Sequence, residues 1–147
     1  GNANVHRTFF QPDLAYMLRG FYSIYSKYES INNMVKELGI GNDSAPAWKL
    51  CETVRELSCK ANNGCYNSQC FPANFHNSAL KRINLAIKWL VRDDGIVDLG
   101  VWDCIKPSQL YIPLDVHVGN MGRALGLLVR RQNDWKATEE TRQNHKR

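Results

Sequence analysis

Apolar residues in this chain recur at steps of three and four in run after run, and nowhere alternate over a length that would make a sheet. That spacing confines the chain to helices. Within Ser78–Arg92, Leu80, Ile83, Ile87 and Leu90 follow steps of three, four and three, which predicts one buried stripe. At about 100° per residue, Lys81, Lys88 and Arg92 fall on the opposite side. Leu14, Met17, Leu18, Phe21, Ile24 and Tyr25 predict an earlier helix that starts at Pro12 and Asp13. Ser30–Leu38 predicts a second, with Gly39 as its stop. A third runs from Ser44 to about Lys60 and buries Trp48, Leu50, Cys51, Val54 and Leu57. A fifth starts near Asp115 and ends about Leu125, and a last one begins at Asn133 or Asp134 and carries Trp135, Lys136 and Glu139. The expected fold class is all-α, a helical bundle.

A chain of 147 residues fits one domain, or part of a larger one, and the reading here is a single helical domain over residues 1–147. Residues 61–77 are rich in Asn, Gly, Ser and Pro and read as a loop; residues 141–147 are polar and read as a frayed, disordered tail. With 44% hydrophobic and 22% charged residues the chain reads as folded and soluble. The best apolar run, Ile83–Val91, is interrupted by Asn84 and Lys88, so no membrane partner is expected. The start, Gly-Asn-Ala-Asn-Val, lacks the pattern of a signal peptide. Lys and Arg outnumber Asp and Glu 19 to 14, a net +5 that permits an anionic partner.

Five cysteines, an odd number without a secretory signal, favour reduced thiols in the cytoplasm. Cys59, Cys65 and Cys70 crowd one polar stretch with His76 beyond. Their gaps of five and four residues differ from paired C-x-x-C metal ligands and from the spacing of an iron–sulfur cluster. Ordinary thiols are the preferred reading over a metal site, and no cofactor is expected.

The segment Ile112–Leu127 carries more chemistry. Asp115 follows Pro113 by two residues at the point where a helical pattern begins. There a carboxylate caps free N–H groups, meets the positive end of the helix dipole and stays ionised. Gly119, Gly122 and Gly126 continue from it in steps of four, three and four, on one helix face. Each interior glycine costs roughly 1 kcal/mol relative to alanine. Such a row predicts a second backbone passing close below the aspartate, with Val118, Met121 and Leu125 turned into the core. Gly126 also suits a helix C-cap.

Ile-Pro-Leu-Asp-Val-His-Val, followed by Arg-Ala-Leu-Gly-Leu, resembles the catalytic-aspartate segment of the helix–hairpin–helix DNA glycosylase superfamily. Ser78–Arg92 resembles the lysine-bearing helix of its archaeal 8-oxoguanine branch. More closely, Lys81–Asn84, Trp89–Arg92, Val97–Gly100, Pro107–Leu110 and Arg131–Lys136 resemble an uncharacterised bacterial family grouped near those enzymes. The resemblance covers Ser78 to about Glu140 well and Val5–Tyr28 weakly. It implies a base-excision glycosylase and lyase acting on double-stranded DNA, with Lys81 as nucleophile and Asp115 as the family aspartate. Lys88, Arg92, His117 and Arg123 are the implied DNA contacts, with Lys88 the reserve nucleophile. No Gly-hydrophobic-Gly hairpin precedes Lys81 in Phe71–Asn77. Gly39-Ile40-Gly41 has that composition and reads better as a C-cap followed by a turn.

Two other readings stay open. One is a nucleic-acid-binding domain that kept the scaffold without the catalysis. The other is a structural domain whose aromatic helix, with Phe21, Tyr22, Tyr25 and Tyr28, meets a missing lobe or a second copy of itself. Burial of those aromatics in the core is the preferred reading of that helix.

Overall fold

In a computed structural model, residues 4–6 and 8–145 are described. The first element is a small antiparallel hairpin, β1 (Asn4–His6) with β2 (Phe9–Phe10), where no sheet was expected. Everything else regular is helical, and the fold is all-α: α1 (Gln11–Tyr28), α2 (Ile31–Glu37), α3 (Pro46–Ala61), α4 (Lys81–Val91), α5 (Val116–Ala124) and α6 (Trp135–His145). Short 3-10 turns lie at Ile40–Asn42, Phe75–Asn77 and Pro107–Gln109. The chain divides into two compact units. One holds residues 1–43 and 49–74, the other residues 44–48 and 75–147, so the first turn of α3 belongs to the second unit.

In the first unit, α1 begins because Asp13 turns back on the chain. Its Oδ2 accepts from the Phe10 N–H at 2.9 Å and its Oδ1 from Asn67 Nδ2 at 2.9 Å. These bonds hold its carboxyl below the usual carboxylate range, the Asn67 bond most of all. The buried face of α1 is Asp13, Tyr16, Gly20, Ile24 and Tyr28. Leu14, Leu18, Tyr22 and Tyr25 are exposed instead, so the expected core stripe is rotated, and of Phe21, Tyr22, Tyr25 and Tyr28 only Tyr28 is buried. The reason is Gly20. A Cβ there would lie 2.7 Å from Ser58 Cβ and 3.1 Å from Ser58 Cα, so only glycine lets α1 approach the Lys49–Ala61 part of α3 on that side. Asn62 secures the crossing, its Nδ2 donating to Tyr16 O at 3.1 Å and to Ser58 O at 2.8 Å. α2 starts where Ser30 Oγ accepts from Asn33 N, and Gly39 ends it in the left-handed region at φ 65°.

In the second unit the core is built on Trp48, which is fully buried, with Tyr111 and Trp135 set edge-on to it at 5.2 and 6.4 Å. Trp48 Nε1 donates to Ser78 O at 3.0 Å. Ala79, Leu114, Leu128 and Ala137 pack as a second cluster. The stripe that α4 buries is Asn84, Ile87 and Val91, and Ile83 of the expected stripe is exposed. Asn84 can lie inside because its Nδ2 donates to Ala79 O at 2.9 Å. The chain after α4 folds back on the helix end, where Leu99 N and Trp102 N donate to the Trp89 and Leu90 carbonyls. α6 continues to His145 where a frayed tail was expected from Thr141. Thr141 is buried, and Asn144 Nδ2 donates to Leu127 O at 3.1 Å. The last two residues of that expected tail, 146 and 147, lie outside the described ones.

Candidate functional site

Two helix starts in the second unit meet at one carboxylate. Asp115 is the N-cap of α5, and its Oδ1 accepts from Val118 N at 2.9 Å. Its Oδ2 accepts from Lys81 Nζ at 2.6 Å, across 34 residues of sequence. Lys81 is the first residue of α4, whose first turn has no acidic residue, so Asp115 supplies the negative charge that this helix start lacks. The Lys81 hydrogen bond first, then the Val118 amide and the nearby charges of Lys81 and His117, hold the Asp115 carboxyl at about 2. Side-chain exposures of 48% for Lys81 and 25% for Asp115 leave the pair open to a ligand.

Leu80, immediately before Lys81, lies in the left-handed region at φ 47°, ψ 44°. A branched residue rarely stays there, and in this chain Ser78 Oγ, accepting from Leu80 N at 3.1 Å, and Leu80 O, accepting from Asn84 N at 2.9 Å, hold it. Periodicity carries no signal for such a backbone, and only the geometry finds it.

The other residues expected to meet DNA are differently placed. Lys88 is half-buried on α4. Arg92 Nε lies 3.5 Å from Asp98 Oδ2, in the loop that closes over the end of α4. His117 is exposed, two residues beyond Asp115. Arg123 is committed inward: Nε donates to Arg130 O at 2.9 Å, and Nη2 to Arg131 O at 2.7 Å and Asn133 Oδ1 at 2.9 Å. Its donors hold the loop between α5 and α6, a role that spacing along the helix does not reveal.

The same loop is also pinned from the α6 side. Arg130 forms a two-pronged pair with Asp134, which also caps α6 through Ala137 N at 3.0 Å. Glu140 Oε1 accepts from Val129 N at 2.7 Å. The run Arg131–Lys136, singled out in the sequence, therefore includes two of the structural residues of this loop, Asn133 and Asp134.

The glycine face of α5 packs differently from expectation. Gly119 and Gly122 are buried, but a Cβ at Gly119 would meet Asn133 Oδ1 and the Arg123 guanidinium at 2.8 and 2.9 Å, and one at Gly122 would meet Leu128 Cβ at 3.4 Å. Side chains rather than a second backbone fill the space. Val118, Met121 and Leu125, expected in the core, are exposed. Leu125 is the C-cap, and Gly126 follows it at φ 71° to close the helix end.

All five cysteines are free thiols, and Cys51 is pushed up to about 12, mainly by burial. Among the described residues no group of three or more His, Cys, Asp or Glu side chains could hold a metal ion, and no helix is long and apolar enough to cross a membrane. No curated protein and no solved structure matches the chain, so the further link to helix–hairpin–helix glycosylases gains nothing from these comparisons. One family does match, over all of residues 1–147, and the chain belongs to it: the family described as a protein of unknown function, DUF2400.

Proposed function

We propose that this chain carries a DNA glycosylase and lyase centre in which Lys81 is the nucleophile and Asp115 the electrostatic partner, acting on an oxidised base in double-stranded DNA. The observation that carries the reading is the 2.6 Å contact between Lys81 Nζ and Asp115 Oδ2 at two helix starts. The strained Leu80 backbone beside it supports the reading, since strain of this kind concentrates where a side chain must be aimed. The target nucleotide is turned out of the duplex to reach the amine. Lys81 gives up a proton to the departing base, its nitrogen bonds to C1′, and the glycosidic bond breaks. Asp115, held near 2, is a poor proton acceptor at neutral pH and stays anionic, which suits it to stabilise the positive charge that develops on the sugar. The C1′–O4′ bond then breaks as O4′ takes a proton from the amine, giving the Schiff base, and loss of a C2′ proton to solvent with departure of the 3′ phosphate cleaves the strand.

Borohydride reduction in the presence of DNA carrying an oxidised purine tests this. A covalent adduct is expected with the parent chain and absent from Lys81→Ala. No adduct with the parent chain, or an adduct that survives Lys81→Ala, refutes it, and loss only on adding Lys88→Ala would move the nucleophile to Lys88. The pair also serves as a staple between α4 and α5, as any capping carboxylate with a lysine partner would. On that reading Lys81→Ala lowers stability and leaves no chemistry to lose.

A further inference from the structure

The first unit carries a groove that the Lys81–Asp115 reading does not use. α1 presents three faces. One is buried (Tyr16, Gly20, Ile24), and a second is exposed and apolar (Leu14, Leu18, Tyr25). The third is Arg19, Tyr22, Ser23, Ser26 and Lys27, spaced i, i+3, i+4, i+7 and i+8, and it lines a cavity of about 440 Å³. A neighbouring cavity of about 650 Å³ shares Arg19 and Ala61 with the first and continues over Asn63, Tyr66, Asn67 and Ser68. The two linings hold two cations and no carboxylate. Beyond Lys27 a third cavity, of about 520 Å³, adds Lys36 but also Glu29 and Glu37, and these acids close the basic stretch on that side.

Each of the two main cavities holds an accessible aromatic ring. Tyr22 is 77% exposed. Tyr66 is 48% exposed, and its hydroxyl donates to Phe71 O, which fixes the ring. Arg19 is braced as well, with Nη1 donating to Asn62 Oδ1 at 3.3 Å. Arg19 and Lys27 are eight residues apart on one helix, about 12 Å along its axis. Two cations along an open groove, Arg19 and Lys27 (the latter's Nζ resting 4.9 Å over the Tyr28 ring), with one open ring between them, a second beyond Arg19 and side-chain amides and hydroxyls around them, match a polyanion that also carries flat apolar faces.

We infer that this groove binds single-stranded nucleic acid, with Arg19 and Lys27 on its phosphates and Tyr22 and Tyr66 stacked against its bases. An acidic peptide satisfies the cations and leaves the rings idle, and a duplex hides the base faces that the rings would meet.

The test is fluorescence anisotropy of a labelled oligothymidine with the full chain over a range of salt. Tyr22→Ala is expected to weaken binding about tenfold and Tyr22→Phe to leave it within about twofold. Arg19→Ala with Lys27→Ala should reduce the slope of log affinity against log salt by about 1.4, which is about 0.7 for each phosphate that is no longer neutralised. Lys81→Ala should bind as the parent does, so this result and the borohydride result fail independently. Because Tyr22 is largely exposed, its replacement leaves the fold intact. Unchanged affinity in Tyr22→Ala, an unchanged salt slope in the double variant, or equal displacement by polyglutamate would overturn the inference. Blunt-duplex binding that Tyr22→Ala weakens as much as oligothymidine binding would overturn it too.

Discussion

Gly20→Ala is the sharpest structural perturbation available, because two rules pull in opposite directions. As an interior helix position it should gain roughly 1 kcal/mol from the change. Against that, the added methyl would lie 2.2 Å from Ser58 Oγ, 2.7 Å from Ser58 Cβ and 3.1 Å from Ser58 Cα. The hydroxyl can rotate away, but Cβ and Cα cannot. Ordinary carbon contacts need about 3.5–4.0 Å, so α1 and α3 must part by roughly 1 Å at their closest point. Ser58 is buried and Asn62, one turn on, bonds both helices, so the separation disrupts packing over several residues. Overpacking costs about 1–3 kcal/mol, and the upper end applies where backbone is in the way. The net effect is a loss of about 2 kcal/mol, or about 6 °C in Tm at roughly 3 °C per kcal/mol for a chain of this size. Circular dichroism melts of the parent, Gly20→Ala, Ser58→Ala, Ser58→Gly and the double variants read it directly. Ser58→Gly in the Gly20→Ala background should recover most of the loss and Ser58→Ala little, since alanine keeps the offending Cβ. A rise in Tm for Gly20→Ala, or no recovery with Ser58→Gly, would refute the close crossing.

Two glycines of the α5 segment should respond with opposite signs. Gly122→Ala meets Leu128 Cβ only at an ordinary 3.4 Å and should raise stability by up to about 1 kcal/mol, whereas Gly126→Ala forces a side chain onto φ 71° and should lower it by about 1–2 kcal/mol; thermal melts of the pair check both. Acid sensitivity provides a further measurement. The folded chain holds Asp115 at about 2 against an ordinary 3.8, so its contribution is complete above about pH 5 and is lost as pH falls through 3.8 toward 2; Tm measured from pH 6 to 2 should fall less steeply at the acid end in Asp115→Asn than in the parent.

The elements were legible where a side chain announces a backbone event. Ser30 and Asp115 cap the helices that follow them, and Gly39 and Gly126 end helices with positive φ, as their positions in the sequence imply. The rotation of the helices was not legible, because burial follows the fit between neighbours as well as hydropathy. α1 turns its glycine inward and leaves Leu14 and Leu18 outside, since Ser58 needs the room. α5 buries Gly119 and Gly122 against Asn133, Arg123 and Leu128 and exposes Met121 for the same reason. Arg123 reads on a helix as one more surface cation. Only its loop carbonyl partners, seven and eight residues away, show that it is structural.

The Lys81–Asp115 contact joins two departures from local preference. A lysine opens α4, where the helix dipole favours an acid, and the residue before it holds a backbone conformation that suits glycine. A chain selected only to fold could exchange Lys81 for a neutral residue, leaving Asp115 to cap its own helix, and Leu80 for glycine or asparagine. The Leu80 exchange removes strain and the Lys81 exchange removes an unfavourable dipole contact at the expense of the bond to Asp115, and neither disturbs the buried stripe of Asn84, Ile87 and Val91. Asp115, by contrast, already satisfies the start of its own helix through Val118 N and needs no lysine to do so. The amine is therefore the member of the pair that folding explains least, and a group kept against local preference is where chemistry is to be sought first.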